Sequence, residues 1–331
     1  MVQELQIGGT GAMRCLLFLL LFAVAAQAQV QAQVQDYPTR TVEIVVPFAA
    51  GGGTDLIARV LIERLGETMR QRFVIINRPG ASTNIGTTAV ANAAPDGHTL
   101  LLTSISFAAN PALYRKLSYG QRDFAPIVLI ANSPSILVVT PSLPFNSVAD
   151  LVAHMKAHPG ELNYASYGAG SGPHLAAGLL QDITGTRMQH VPYGGGSPAT
   201  IAVLRGEVQM LLAGSLAVGA LIQSGGLKPL AIAANERAVA LPNVPTFREQ
   251  GIEFLTGTWF GMLAPAKTPP AIIATLNLEI VAALRNDAVR ARIAEQGADV
   301  MGGSPQDFAR FLKDETERLS AVIKRANIQM D

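Results

Sequence analysis

Charge is scarce in this chain of 331 residues: Asp, Glu, Lys and Arg together make up 15%, and the formal net charge is +1. No cluster of Lys and Arg and no acidic tail is present, which leaves a nucleic-acid reader without its electrostatic footprint. Cysteine is scarcer still. Cys15 is the only one, so the chain has no disulfide framework and no set of thiolate metal ligands. Long apolar runs are missing as well. The one uncharged apolar stretch, Cys15 to Ala26 ("CLLFLLLFAVAA"), is shorter than the ~20 residues a membrane-spanning helix needs.

Catalytic signatures are also lacking. No G-x-S-x-G turn surrounds Ser104, Ser166, Ser171 or Ser215. "GGGTD" (51–55) has no Lys-Ser/Thr after its glycines and is not a phosphate-binding P-loop. "GAGSG" (168–172) fails to complete G-x-G-x-x-G, because Pro173 stands where the last glycine belongs. His154 and His158 have the i, i+4 spacing of a metal pair, but "HMKAHPG" lacks the glutamate of H-E-x-x-H and reads as a solvated helix end. The expectation is no catalytic residue, no metal and no cofactor.

What is present begins with a leader. Arg14 precedes the apolar run and "AQA" (26–28) follows it, the basic flank and small-residue site of a secretory signal. Met13 makes a more ordinary signal start than Met1. Cleavage near Ala28 gives a signal peptide over 1–28 and removes Cys15, which stands before the apolar run and so reads against a lipid anchor. Residues 29–36, within the Gln-rich "QVQAQVQ" region, read as a flexible leader, and the mature protein as exported, to a periplasm.

From Thr41 onward, β-branched runs alternate with helical periodicity. "TVEIVV", a helix over 54–69, "FVIIN", a helix near 85–93 and "TLLLTS" form a βαβαβ series, the pattern of a parallel sheet covered by helices. "APIVLIA" and "SILVVTP" come next, and the alternation restarts with helices at 148–157, 174–184, 198–205 and 216–223 between "LNYAS", "MQHVPY" and "VQMLLAG". "LKPLAIAA" and "TWFGMLAP" lead into three helical stretches without strands of their own, which are expected to pack back on the first half. Two such series imply two α/β lobes: a discontinuous first lobe over 37–136 and 257–331, and a second over 137–256. Ligands of open parallel sheets sit beyond the carboxyl ends of the strands, so two facing lobes make a cleft.

Four strand-to-helix joints are rich in Gly, Ser and Thr: "FAAGGGTD" (48–55), "NRPGASTNIG" (77–86), "YASYGAGSGPH" (164–174) and "PYGGGSPAT" (192–200). Each brings backbone N–H groups and small hydroxyls to a helix start, where unpaired amides and the helix dipole favour a negative group. One such joint is as readily a plain turn; four at the ends of two sheets favour a cleft that holds an anion with neutral donors. Asp55 fits a helix-start carboxylate bonding backbone donors, with ligand contact as the alternative. His174, which also opens a helix, fits a packing or hydrogen-bonding role.

Seven stretches in order carry a resemblance: "YPTRTVEIVVPFAAGGGTDLIAR", "INRPGASTNIGTTAVANAAPDGHTLLL", "NPALYRKLSY", "PGELNYASYGAGSGPHLAAGLL", "HVPYGGGSPA", "LPNVPTFREQG" and "WFGMLAPAKTPPAIIATLNLEIVAAL". From Tyr37 to the C-terminus the chain resembles the Bug-type substrate-binding receptors of tripartite tricarboxylate transporters. The resemblance implies a two-lobed type II periplasmic-binding-protein fold, with two mixed, largely parallel sheets flanked by helices and a ligand cleft between them. It further implies a periplasmic monomer that captures a small organic carboxylate and delivers it to the membrane subunits of a transporter. Carried onto matching positions, the ligand-binding residues are Gly52, Gly53 and Asp55, then Ala81, Ser82 and Thr83, and across the cleft Ser166, Gly168, Gly170, His174, Tyr193 and Gly194.

Three departures from the family pattern stand out. Ala213 and Gly214 occupy positions where an acidic or polar side chain is frequent, Gln209 replaces a commonly acidic residue, and Phe107 stands where small or polar residues are frequent. Together they imply a more apolar pocket, suited to a longer or aromatic carboxylate. The alternatives from other classes are a cleft hydrolase or lyase on the same fold, and a ligand-sensing protein of a signalling system.

Overall fold

In the computed structural model, residues 37–238, 240–295 and 297–325 are described, so the expected signal segment (1–28) and leader (29–36) lie outside the described residues. The β-branched runs become strands: β1 (Val42–Val46), β2 (Phe73–Asn77), β3 (Thr99–Ser104), β4 (Phe124–Val139), β5 (Asn163–Ser166), β6 (Gln189–Pro192), β7 (Met210–Gly214), β8 (Lys228–Ile232), β9 (Gly257–Pro265) and β10 (Asp299–Val300). Between them run helices α1 (Gly53–Met69), α2 (Asn84–Ala91), α3 (Ser106–Leu113), α4 (Val148–Ala157), α5 (Gly172–Thr184), α6 (Gly196–Leu204), α7 (Ser215–Gln223), α8 (Pro270–Arg285), α9 (Asp287–Glu295) and α10 (Pro305–Arg325). Among the described residues, no helix is long and apolar enough to cross a membrane.

The strands join along one hydrogen-bonded path, β2-β1-β3-β9-β4-β7-β5-β6, with β8 and β10 also pairing with β4. β4 is the shared member of two sheets. Its 16 residues pair with β9 as far as Pro134↔Gly257, and from Ser135↔Gly214 onward with β7. The sequence reads this segment as two strands because Asn132-Ser133-Pro134-Ser135 is polar and contains proline. The structure runs straight through it, and the polar residues mark where the strand changes partners. Both sheets are mixed: β1 is parallel to β2 and β3, and β5 to β6 and β7, while every ladder involving β4 or β9 is antiparallel. The expected largely parallel sheets are thus parallel at their outer sides and antiparallel at the centre.

Period-2 alternation places the cores. Leu137 and Val139 of β4 join Met210 and Leu212 of β7 in one cluster, while Ile136, Val138, Leu211 and Ala213 belong to another. Both faces of the second sheet are therefore buried, as expected for apolar strands lacking a polar face. In the first sheet, Val45, Leu101, Leu129 and Leu263 pack with Phe107 of α3 and with Phe308, Leu312 and Leu319 of α10. The C-terminal helix does return to the first sheet. It also reaches beyond it: Leu175 of α5 belongs to the same cluster, and Arg325 ion-pairs with Asp182 of α5 at 3.2 Å.

Strand directions fix where a site can lie. β3 is antiparallel to β9, and β9 to β4, so β1, β2 and β3 run the same way as β4, toward the second sheet. β7 is antiparallel to β4, so β5, β6 and β7 run toward the first sheet. The carboxyl ends of both parallel sets consequently face one another across the waist at residues 133–135. A direct contact closes the floor there: a Cβ on Gly172, the first residue of α5, would lie 3.6 Å from Ile105 just after β3 and 3.3 Å from Thr258 of β9.

Candidate functional site

The loop after β1 holds Gly52, Gly53 and Asp55. Gly51 has φ +79°, a left-handed conformation that requires glycine. Gly52 does not: its φ of −79° and ψ of 167° are open to any residue, and it is the N-cap of α1 without a side-chain cap. Conformation accounts for one of the glycines, and the exposed Gly52 has no such reason. Asp55 is fully buried. Its Oδ2 accepts from the Gly51 amide at 2.9 Å and Arg59 Nε at 2.8 Å, and its Oδ1 from Asn77 Nδ2 at 3.0 Å. Burial alone would raise this carboxyl's pKa; hydrogen bonds from Arg59, Gly51 and Asn77 outweigh it and hold the group below the ordinary carboxylate value. Asp55 thus faces inward and ties the glycine loop to β2, since Asn77 also donates to the Phe48 carbonyl at 3.2 Å.

The loop after β2 holds Ala81, Ser82 and Thr83, and its backbone is unusual. Gly80 is followed by three non-glycine residues at positive φ: Ala81 45°, Ser82 49° and Thr83 79°. Each such residue costs about 1 kcal/mol or more and persists only where the surroundings enforce it. The enforcing group is Asn110 of α3, fully buried, whose amide donates to the Ser82 carbonyl and to Asn84 Oδ1, both at 2.8 Å. Tyr119 donates to the same Asn84 oxygen at 3.1 Å. Asn110 escapes the sequence reading because α3 carries an internal proline, Pro111, and no clear periodicity. Phe107 of the same helix is a core residue. It is buried among core aromatics, at 6.1 Å from Tyr119 and edge-on to Phe124 at 5.1 Å. The expectation that Phe107 makes the pocket apolar is corrected accordingly.

Across the waist, the loops after β5 and β6 are joined by the Tyr193 amide donating to the Ser166 carbonyl at 3.0 Å. Gly168 and Gly170 take positive φ, 116° and 73°. The Ser166 side chain is fully buried. Its Oγ lies 3.0 Å from the Gly168 carbonyl, 3.1 Å from the Gly168 amide and 2.6 Å from His190 Nε2. His174 Nδ1 accepts from the Gly170 amide at 2.9 Å, and its ring stacks on His190 with centroids 3.9 Å apart. Burial, and then the neighbouring His190, lower the His174 pKa to about 4. Tyr193 is half-buried among Tyr167 and Val191, and Gly194 is exposed. His190 is a site-region residue that sequence reading passes over, because it sits inside an ordinary strand pattern.

The departures at β7 have local causes. A Cβ on Gly214 would come 2.7 Å from Ser133 Oγ at the waist, so a side chain there would displace that hydroxyl from its bond to the Gly297 carbonyl. Gln209 accepts from both the backbone and side-chain N–H groups of Asn163 at 3.0 Å, a neutral acceptor at the start of β5, away from the waist.

The helix starts differ according to where they lie. α4 is capped by Ser147, which accepts from the Asp150 amide, and α10 by Ser304, which accepts from the Asp307 amide. The helices that begin at the waist, α1, α2, α3, α5, α6 and α7, have no side-chain cap. α8 also lacks one, but it begins on Pro269-Pro270, which brings no N–H of its own. Away from the waist, α4 and α10 satisfy a first-turn amide with a side chain; at the waist no side-chain cap does so, and helix starts of that kind favour an anion.

Comparison with known proteins agrees with this geometry. The model of the tripartite tricarboxylate transporter family receptor matches residues 57–328. Protein BugT of Bordetella pertussis is 36% identical over 321 residues, covering 96% of this chain and 98% of BugT. Among solved structures, R. palustris Rpa4515 with adipate has a TM-score of 0.82 at 38% identity, covering 89% of this chain and 100% of that one. MatC from Rhodopseudomonas palustris with bound malate has a TM-score of 0.78 at 34% identity, covering 87% and 100%. With its two-lobed α/β periplasmic-binding fold, the chain belongs to the receptor family of the tripartite tricarboxylate transporters.

Proposed function

We propose that this protein is a periplasmic receptor that captures a small organic carboxylate at the waist between its lobes and delivers it to the membrane subunits of a tripartite tricarboxylate-type transporter. The observation that carries the reading is the set of helix starts without side-chain caps, α1, α2, α3, α5, α6 and α7, at the waist. Their amides and the small hydroxyls beside them form a neutral donor set for a carboxylate. In this reading the lobes are 37–136 with 257–331, and 137–256. The ligand meets Gly52, Gly53 and the Ala81–Thr83 segment on one side and Gly168, Gly170, Tyr193 and Gly194 on the other, while Asp55 and Ser166 shape the loops from behind. Bound adipate and malate in two relatives support the ligand class. The secretory leader and a monomeric state belong to the same proposal.

The close Ser166–His190 pair invites a hydrolase reading. It does not carry one, because the hydroxyl is fully buried and bonded to Gly168 through both N–H and carbonyl, where no substrate carbonyl reaches it.

Titration calorimetry with a panel of mono-, di- and tricarboxylates, each beside its neutral amide, tests the proposal. Heat is expected with at least one carboxylate and none with its amide. Silence across the whole panel, or turnover of a bound compound, overturns it.

A further inference from the structure

The β5–β6 register sets Tyr164 directly opposite His190. Ser166 lies two residues on, on the same face of β5. Into this corner α5 brings His174 from its first turn, and the three rings stack: Tyr164 to His190 at 5.0 Å and 19°, His190 to His174 at 3.9 Å and 11°. The hydrogen bonds assign the protons. His174 Nδ1 accepts the Gly170 N–H, so the ring is neutral with its proton on Nε2. Ser166 Oγ accepts the Gly168 N–H and donates to the Gly168 carbonyl, leaving its remaining lone pair for the Nε2–H of His190. The ring stack is thus the floor on which the loop of residues 166–171 is laid.

We infer that His190 is a positioning residue for ligand capture: it holds Ser166 and stacks on His174, keeping His174 neutral so that Gly170 retains its acceptor and the loop its shape. This rests on the carboxylate-receptor reading above. A proton added to His174 goes to Nδ1, turns the acceptor into a donor facing the Gly170 N–H, and frees the loop. Two features oppose that proton, namely burial and the second imidazole in face-to-face contact. The titratable groups beside His174 are His190, stacked on it, and Tyr164, tilted 30° to it with centroids 6.3 Å apart. Farther along α5, Asp182 is paired with Arg325 of α10. Ligand capture therefore carries an acid limit whose position depends on His190.

The test is adipate affinity from pH 7.5 down to pH 4 for the full chain and for His190→Phe, His190→Gln and His174→Asn, with circular dichroism confirming the fold at each point. Protonation of adipate itself is common to all four, so affinities are compared as ratios to His174→Asn, whose side chain offers an oxygen to Gly170 and does not titrate. The parent ratio is expected to hold steady and then fall toward pH 4. In His190→Phe, which keeps a ring but not the second imidazole, the fall begins about half a pH unit or more higher. At pH 7.5, His190→Gln, which restores a donor to Ser166, binds more tightly than His190→Phe. Protection of the Gly170 amide, its exchange measured by NMR without ligand and normalised to the intrinsic rate at each pH, is expected to fall as the His174 ring titrates. An acid limit that does not move in His190→Phe, or a Gly170 amide indifferent to His174 titration, overturns the inference. The amide measurement keeps the two proposals separate, because a protein that binds no carboxylate at any pH would fail the receptor reading and leave the Gly170 result to stand alone.

Discussion

The side-chain amide of Asn110 lies 2.8 Å from the carbonyl oxygen of Ser82 and donates to it, fastening three consecutive left-handed residues from the next loop. Asn110→Ala leaves the Ser82 carbonyl without its donor in a partly buried setting, while Asn84 Oδ1 keeps Tyr119, at a cost of about 1–3 kcal/mol. A lowered melting temperature is expected, together with weaker adipate binding by the protein that remains folded, because Ala81–Thr83 can then relax to ordinary φ. Paired melting and calorimetry check this; unchanged affinity in the folded variant would show that the strained segment is scaffold alone.

The glycines after β1 divide by conformation, and substitution separates them. Gly51→Ala places a side chain at φ +79° and should destabilise by about 1 kcal/mol. Gly52→Val meets no such backbone conflict: a Cβ there would sit 3.4 Å from the Ala49 carbonyl. This variant is expected to melt near the parent and to lose most of its carboxylate affinity, since the branched side chain covers the start of α1. The reverse pattern, a large melting shift with affinity intact, would remove this loop from the site.

Asp55 sets an acid limit of a different kind. Its folded pKa lies below the ordinary 3.8 despite burial. The stability it contributes is therefore present above that value and is lost as pH falls through the lower folded value. Asp55→Asn turns one of its acceptor atoms into a donor facing Asn77 or Gly51, which should cost about 2 kcal/mol at neutral pH. Denaturant unfolding against pH should show the variant losing less stability than the parent between pH 4 and pH 2, and parallel curves would contradict the assignment.

Arg78, exposed just past β2, is the one Lys or Arg in the four glycine-rich joints. If neutral amides hold the ligand, Arg78→Ala should weaken adipate binding by less than about threefold, and raising salt to molar levels should have a similarly small effect. A large loss in either experiment would make Arg78 the anchor.

The lobes were legible because buried strands rich in Val, Ile and Leu alternate with helix-period segments whose joints carry glycine. α4 over 148–157 and β2 over 73–77 were readable to the residue, since Ser147 caps one and polar residues bound the other. What escaped depended on partners distant in sequence. β10 is two residues long and exists only as a pairing with β4. The role of Asn110 comes from a loop 28 residues upstream, and that of His190 from Ser166 on the neighbouring strand. Asp55 was visible as a helix-start carboxylate, but its ties to Arg59 and Asn77 decide which way it faces. Phe107 misled because its position along the chain says nothing of which face of α3 meets the core.

The place of β9 between β3 and β4 has a consequence for how the chain assembles. During synthesis, residues 42–139 emerge with β3 and β4 but without the strand that joins them, and that strand arrives only at 257–265. The second sheet meets no such delay: β4 through β8 are contiguous along the chain and can pair as they appear. The later-numbered half is therefore free to fold first, and the earlier half is held open until nearly the whole polypeptide exists. A chain cut just before residue 257 would retain β4 through β8, the makings of the second lobe, and only an unclosed sheet for the first.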